Sequence, residues 1–161
     1  MIGKLSSEEI ENLLSKQCVG RIGCYDNDVV YVVPISYAYD GCNIYCHTYE
    51  GKKMEMMRKN PKVCFQIDDM KDMANWKSVI TWGEFEEIND KEEKIKILKI
   101  LLQRRLPVSS SVTTHLGKTW PFSGEGSNGL NDIPGIVFKI CLKEKSGKFE
   151  STSIPPLTMY H

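Results

Sequence analysis

The spacing of apolar positions changes period several times along the chain, and each change marks an element. Ile10, Leu13 and Leu14 fall at helical spacing up to Lys16, behind a Ser6–Glu9 pair with the separation of a capping box. This helix has one narrow apolar stripe and is expected to lie on something larger. From Val19 the period drops to two. Residues 20–25 read as a short strand, 26–28 as a turn, and 29–39 as a long strand rich in β-branched and aromatic side chains. Asp40-Gly41 signals a hairpin, with 43–47 as the returning strand. Residues 51–60 read as a short helix stopped by Pro61, with Met54 and Met57 turned inward. Residues 62–68 form a strand with Val63, Phe65 and Ile67 on one face, and 68–76 are polar and irregular. Over 77–88, Val79, Thr81, Gly83 and Phe85 alternate with Ser78, Ile80, Trp82 and Glu84, again a strand. Asn89 and Asp90 cap the longest predicted helix, 91–106, with Ile95, Leu98, Leu101, Leu102 and Leu106 as its buried face. After an aperiodic stretch over 107–133, residues 134–142 are a last strand, expected to hairpin through Ser146-Gly147 with the tail.

Six or so short antiparallel strands with three helices, and no regular βαβ alternation, favour a closed or nearly closed β-barrel over a doubly wound sheet. No internal repeat and no linker interrupt the chain, so residues 1–161 are read as one domain. A loop as long as 107–133 inside such a domain is functional, partner-covered or mobile. Pro34 sits mid-strand and has no N–H for a ladder, which makes its surroundings an edge, a bulge or a ligand-facing stretch.

Composition narrows the function. The chain has 161 residues, 41% hydrophobic and 26% charged, which excludes wholesale disorder. Twenty-one basic residues meet 21 acidic ones, so no global field attracts a polyanion, and nucleic acid is not an expected partner. The same neutrality leaves self-association unopposed. The longest apolar run, 29–35, is far short of the ~20 residues of a spanning helix, and the N-terminus lacks an apolar signal core. No membrane role and a cytoplasmic location are expected. The six cysteines (18, 24, 42, 46, 64 and 141) form no CxxC pair and read as reduced thiols.

The most informative run is Cys46-His47-Thr48-Tyr49-Glu50-Gly51-Lys52-Lys53, where a strand ends and a helix begins. Free N–H groups of a first helical turn, a Thr hydroxyl and two cations suit a phosphate. The same residues also suffice for a plain helix start with solvated lysines. His47, at a strand end, can donate to an anionic ligand or act as an acid, or serve as hydrogen-bonded structure. Cys42, Cys46 and His47 are close in sequence, but strand alternation sends Cys46 and His47 to opposite faces, so no metal site is expected. No P-loop and no strand-linked GxGxxG is present; Gly124, Gly126 and Gly129 read as flexible spacing. Trp82, Trp120 and Tyr37 can stack on a flat ring. Trp82 equally suits a core or interface, and Trp120, beside Pro121, is placed to cover a ligand or a partner subunit.

The succession Gly20-Arg21-Ile22-Gly23, Val33-Pro34-Ile35-Ser36-Tyr37, Ile44-Tyr45-Cys46-His47-Thr48, Gly51-Lys52-Lys53 and Asn60-Pro61-Lys62-Val63 resembles the pyridoxamine 5'-phosphate oxidase-like flavin-binding split barrels. It is most similar to their nitroimidazole-resistance branch, over about residues 5–105. Ser78-Val79-Ile80-Thr81-Trp82-Gly83 falls where that family has its next strand. The resemblance implies a six-stranded antiparallel split β-barrel with flanking helices and a homodimer holding one FMN in each of two clefts between subunits. FAD or a deazaflavin are the alternatives to FMN. On that basis the backbone of Val33, Pro34, Ile35, Ser36 and Tyr37 lines the flavin ring. Cys46, His47 and Thr48 flank the ribityl chain and ring, Lys52 and Lys53 hold the phosphate, and Ser78 reaches in from the neighbouring strand.

Pyridoxamine 5'-phosphate oxidases proper carry an Arg and a Lys in the strand that here spans 32–37, and a basic C-terminal substrate motif. Neither is present, so the resemblance does not extend to their substrate site. In the resistance branch the strand-end His is linked to reduction of nitro drugs, which singles out His47 for contact with a small-molecule substrate. The expected function is an FMN-dependent oxidoreductase reducing a small acceptor such as a nitroaromatic, with a non-enzymatic flavin or haem carrier or sensor as the rival.

Overall fold

In the computed structural model, which describes residues 1–104 and 133–152, the period-two segments form one antiparallel sheet curled around an apolar interior. β1 (Ile2–Lys4) precedes α1 (Ser7–Lys16), followed by β2 (Val19–Asp26), β3 (Val29–Ser36), β4 (Ala38–Tyr39) and β5 (Asn43–Thr48). Then come α2 (Lys52–Lys59), β6 (Lys62–Asp72), β7 (Asn75–Glu87), α3 (Lys91–Gln103) and β8 (Ile136–Glu150). The strand order is β3-β2-β6-β7-β8-β5-β4, with β1 beside β8. β3 and β4–β5 are therefore the two ends of the sheet. Buried residues from both ends, Ile35 and Cys46 among them, share one core with Ile22, Phe65, Val79 and Phe138. A sheet whose two ends share a core is closed around it except where those ends face each other. This is a split barrel, as expected.

Local chemistry explains most of the elements. Ser6 accepts from the Glu9 N–H (3.2 Å) and Glu9 from the Ser6 N–H (3.0 Å), the full capping box at the start of α1. Asn27 and Asp28 both take positive φ (48° and 59°) in the two-residue turn closed by the Asp26↔Val29 pair, the geometry that matches strand twist. Tyr37 anchors α1 to the barrel: its hydroxyl donates to the Leu14 carbonyl (2.7 Å), and its ring meets Phe65 edge-on at 5.0 Å. Pro34 lies opposite Arg21 on β3, at the end of the sheet, where no further strand needs its missing N–H.

Four readings need correction. The described residues hold eight strands rather than six, because β1 was not foreseen and the long strand over 29–39 breaks before β4. At that break the Tyr37 N–H bonds the Cys18 carbonyl (2.9 Å). The polar segment 68–76 is the end of β6 and the start of β7, paired from Asp68↔Ser78 to Asp72↔Asn75; its polarity reflects solvent on the hairpin. β8 passes straight through Ser146-Gly147 instead of turning there. A Cβ on Gly147 would stand 2.8 Å from Ile10 and Leu5, so this glycine lets α1 and its leading segment pack on the strand. Finally, α3 ends at Gln103 and buries Ile97, Leu98 and Leu101, while Ile95 and Leu102 are half-buried. Leu106, the stretch 105–132 with Trp120, Pro121, Gly124, Gly126 and Gly129, and the tail beyond residue 152 lie outside the described residues.

Candidate functional site

The split between β3 and β5 gathers most of the residues singled out from the sequence. β3 contributes Val33, Ile35 and Ser36; β5 contributes Cys46, His47 and Thr48; and α2 starts at Lys52 directly after the β5 turn. The N-cap of α2 is Gly51, which offers no side-chain acceptor to the first helical N–H groups. The helix is held by Arg58, which donates to both Glu50 carboxylate oxygens (2.7 and 2.8 Å) and both Glu87 oxygens (2.8 and 2.9 Å). Its N-terminus is thus fixed at the split, with uncapped donors and two lysines.

Those lysines are not consumed by the protein. Lys52 is exposed, its ammonium 5.2 Å from the centre of the Tyr31 ring. Lys53 is half-buried, and burial lowers its pKa, partly offset by the nearby Cys46 and Cys24 thiols. Neither makes an ion pair among the described residues, in contrast to Arg21, Arg58, Lys59, Lys77, Lys139, Lys143 and Lys145. The residues present therefore fit a phosphate: uncapped helix N–H groups and two cations without a counter-charge.

The other chosen residues divide into those that can face a ligand and those that cannot do so by side chain. Tyr37 is 1% exposed with its ring committed to the core, so only its backbone is available to line the split, and stacking through the Tyr37 ring is ruled out. Cys46 points into the interior, where burial pushes its thiol pKa up to about 12; it is an inert neutral thiol. Thr48 is buried and donates weakly to the Tyr49 carbonyl (3.4 Å). His47 faces the opposite side of β5 from Cys46, as the alternation required, and no cluster of metal-ligating side chains occurs among the described residues.

His47 is held by the segment before β8. Its Nε2 donates to the Pro134 carbonyl at 2.8 Å, which fixes the proton on that nitrogen, since a carbonyl only accepts. Gly135 has φ of +101°, and a Cβ there would stand 2.7 Å from both the His47 Nε2 and the Thr48 carbonyl oxygen. Only glycine lets the chain lie this close over the imidazole. Burial lowers the His47 pKa below its ordinary 6.5; the Pro134 bond opposes this, and the Lys94 and Arg104 charges add to it. His47 is therefore neutral in the folded protein near neutral pH.

A stability consequence follows with a definite sign. Above about pH 6.5 His47 is neutral in both the folded and unfolded chain. Below that pH the unfolded chain takes up a proton that the folded chain resists, so stability falls as pH drops toward the depressed folded pKa. The His47 contribution to this loss is at most about 1.4 kcal/mol per pH unit. Urea unfolding at pH 7.5 and 5.5 should show a smaller pH-dependent loss for His47→Gln than for the native chain; equal losses would contradict a half-buried neutral His47.

Ser78 is not brought to this cluster within one subunit. The ladders place it on the outer face of the sheet, where its hydroxyl accepts from Gln66 Nε2 (3.1 Å), beside an Arg21–Asp68 ion pair of 2.5 Å. A groove of about 350 Å³ lies over Arg21, Gln66, Asp68, Trp76 and Ser78. A larger one of about 640 Å³ lies between α1, the β6–β7 hairpin and the end of β8, and none of the sequence-chosen residues lines it. The outer face carries a row running Val32, Gly23, Cys64, Trp82 across β3, β2, β6 and β7, and a second running Pro34, Arg21, Gln66, Ile80. Val32 is 58% exposed and Trp82 42%. Trp82 is thus no core residue, and Val32, Ile80 and Trp82 stand exposed on this face beside the polar group of Arg21, Gln66 and Asp68 among the described residues.

Sequence reasoning missed Arg104, which ends α3 beside this site. Its Nη2 donates to the Ser36 hydroxyl (3.2 Å), while its Nε and Nη1 are buried with no hydrogen-bond partner among the described residues. Nothing in the local pattern distinguishes it from the adjacent Arg105 or from a solvated helix-terminal cation.

A curled antiparallel sheet, open at one seam, with uncapped helix donors and cations unpaired among the described residues there, defines a split barrel. The chain belongs to the pyridoxamine 5'-phosphate oxidase family, whose model matches residues 6–119. It is similar to a FAD-binding protein of Mesorhizobium loti, with 30% identity, 94% of this chain and 99% of the other covered, and a TM-score of 0.71. A candidate 5-nitroimidazole antibiotic resistance protein of Bacteroides thetaiotaomicron shares the fold at 22% identity, covering 92% and 87% of the two chains, with a TM-score of 0.67. An uncharacterised protein of Rhizobium meliloti is 37% identical over 84 residues, 52% of this chain and 56% of that protein. The match thus spans little more than half the length of that curated relative. No described helix is long and apolar enough to cross a membrane.

Proposed function

We propose that the chain is a flavin-binding oxidoreductase that works as a homodimer, with FMN at the seam of the barrel and a small acceptor, such as a nitroaromatic compound, reduced there. The observation that carries the reading is the pair of lysines, without counter-charge among the described residues, at the uncapped start of α2, a cradle for one phosphate dianion. The Mesorhizobium relative binds FAD, which supports a flavin and makes FAD the first alternative to FMN. The exposed Val32, Ile80 and Trp82 on the outer sheet face supply a surface for a second copy. Ser78, separated from the cradle within one subunit, then contributes from the partner's side of a shared cleft.

Bound flavin supplies the two-electron redox chemistry, and the protein supplies binding, orientation and electrostatics. In this assignment the backbone of Val33, Pro34, Ile35, Ser36 and Tyr37 forms a flat wall, fixed because Tyr37 is bolted to α1. Lys52 and Lys53 neutralise the phosphate, and His47, neutral and held by Pro134, flanks the acceptor. The carrier reading gains support from that same bond, because a His47 Nε2 engaged by a carbonyl is a poor proton donor to substrate.

Turnover separates the two. Purified protein loaded with flavin and given a reduced nicotinamide and a nitroimidazole is expected to consume both continuously. Flavin that binds stoichiometrically yet yields no multiple turnover with nitroaromatic or quinone acceptors would leave the carrier. Chromatography of the chromophore released from native protein identifies it as FMN, FAD or a deazaflavin.

A further inference from the structure

We infer that Arg104 is the receptor for a carboxylate or phosphate oxyanion of the second reactant, at a position separate from the lysine pair; this rests on the flavin reading above. A guanidinium has five N–H donors and cannot escape burial by losing its proton, so a native structure rarely hides one without acceptors. Among the described residues Arg104 does so: Nε and Nη1 are buried and unpartnered, and the one bond, from Nη2, goes to the neutral Ser36 hydroxyl. No carboxylate pairs with it among the described residues. An uncompensated buried cation costs stability, and the cost is recovered when an anion arrives.

The position argues for a different anion from the flavin phosphate. The neighbours that set the charge environment of Lys53 are Cys46 and Cys24; those of Arg104 are Cys46 and Cys18, and Arg104 in turn acts on His47. The two cations thus flank Cys46 with different surroundings. Lys52 and Lys53 stand at the start of α2, whereas Arg104 follows α3 and is bonded to Ser36 within the stretch assigned to the flavin ring. An oxyanion held there sits beside the ring rather than at the phosphate. Acceptors bearing a carboxylate or phosphate are accordingly favoured over neutral analogues of the same size.

The test uses the full chain with and without bound FMN, titrated with acetate and inorganic phosphate and followed by the ¹⁵N resonance of the Arg104 Nε–H. The resonance should shift saturably, and the shift should persist in protein already saturated with FMN. Thermal unfolding gives a second readout: anion should raise the Tm of the native chain and leave Arg104→Met unmoved, with Arg104→Lys weakened at least about tenfold in anion affinity. In the absence of anion, Arg104→Met should unfold no lower than the native chain, whereas a structural arginine would leave it destabilised. The inference is overturned if neither anion shifts the resonance, if Arg104→Met keeps the anion-induced rise in Tm, or if FMN alone abolishes the response. Because the apo protein is titrated too, a response without flavin uptake would defeat the flavin reading while leaving the oxyanion site standing.

Discussion

Replacing Lys52 and Lys53 together by Ala is expected to strip the flavin while leaving the fold intact. Each lysine contributes a charge-assisted contact to a phosphate, worth about 1.5–3 kcal/mol, so losing both weakens binding by roughly two to four decades in Kd. The fold should survive because neither lysine makes an ion pair among the described residues. The inward face of α2 is carried instead by Met54, Met56 and Met57, and its orientation by Arg58. Relief of the Lys53 desolvation works in the same direction. Fluorescence titration with FMN, alongside circular dichroism and urea unfolding, checks both halves. A well-folded double variant that retains stoichiometric flavin would remove the phosphate assignment. Each single variant should lose part of the effect in free energy, Lys53 the larger share, because it is less solvated.

The second large effect concerns assembly. Trp82→Glu places a carboxylate in the row of Val32, Gly23 and Cys64, on the face assigned to a second copy. A buried, unpaired carboxylate at the centre of an interface costs several kcal/mol, and the aromatic anchor lost with it adds about 2 kcal/mol or more. Sedimentation should show a native dimer and a monomeric variant. Flavin affinity should fall in parallel, because a cleft between copies loses one wall. The exposed position of Trp82 means that the isolated subunit tolerates the change, so unfolding of the variant subunit is not expected. A Trp82→Glu protein that stays dimeric would place the interface elsewhere.

What could be read from the sequence was what local chemistry decides. The Ser6–Glu9 box, the Asn27-Asp28 turn, the Asp90 cap of α3 and the inward Met54 and Met57 each depend on neighbours a few residues away. The opposite directions of Cys46 and His47 followed from strand alternation alone. Features decided by distant parts of the chain were not legible. Ser146-Gly147 has turn chemistry, yet the glycine is there to admit Leu5 and Ile10. Residues 68–76 have loop polarity, yet they pair as a hairpin whose outer reaches are bathed in water. Arg104 shows nothing unusual in its own sequence neighbourhood; only the fold reveals that two of its nitrogens are buried without acceptors among the described residues. Of the residues chosen for the site, the structure gathers those of β3, β5 and α2 at one seam and sets Ser78 apart on the outer face. Alternation with the buried Val79 already turned Ser78 outward, but which strands meet at the seam depends on long-range pairing that the sequence does not display.

The most direct test of the account is titration of FMN into flavin-free protein during sedimentation, with the flavin absorbance and the protein mass read from the same boundary. One flavin per chain, co-sedimenting with a dimer, is expected. A dimer that takes up no flavin, or flavin bound at full stoichiometry by a monomer, would contradict it.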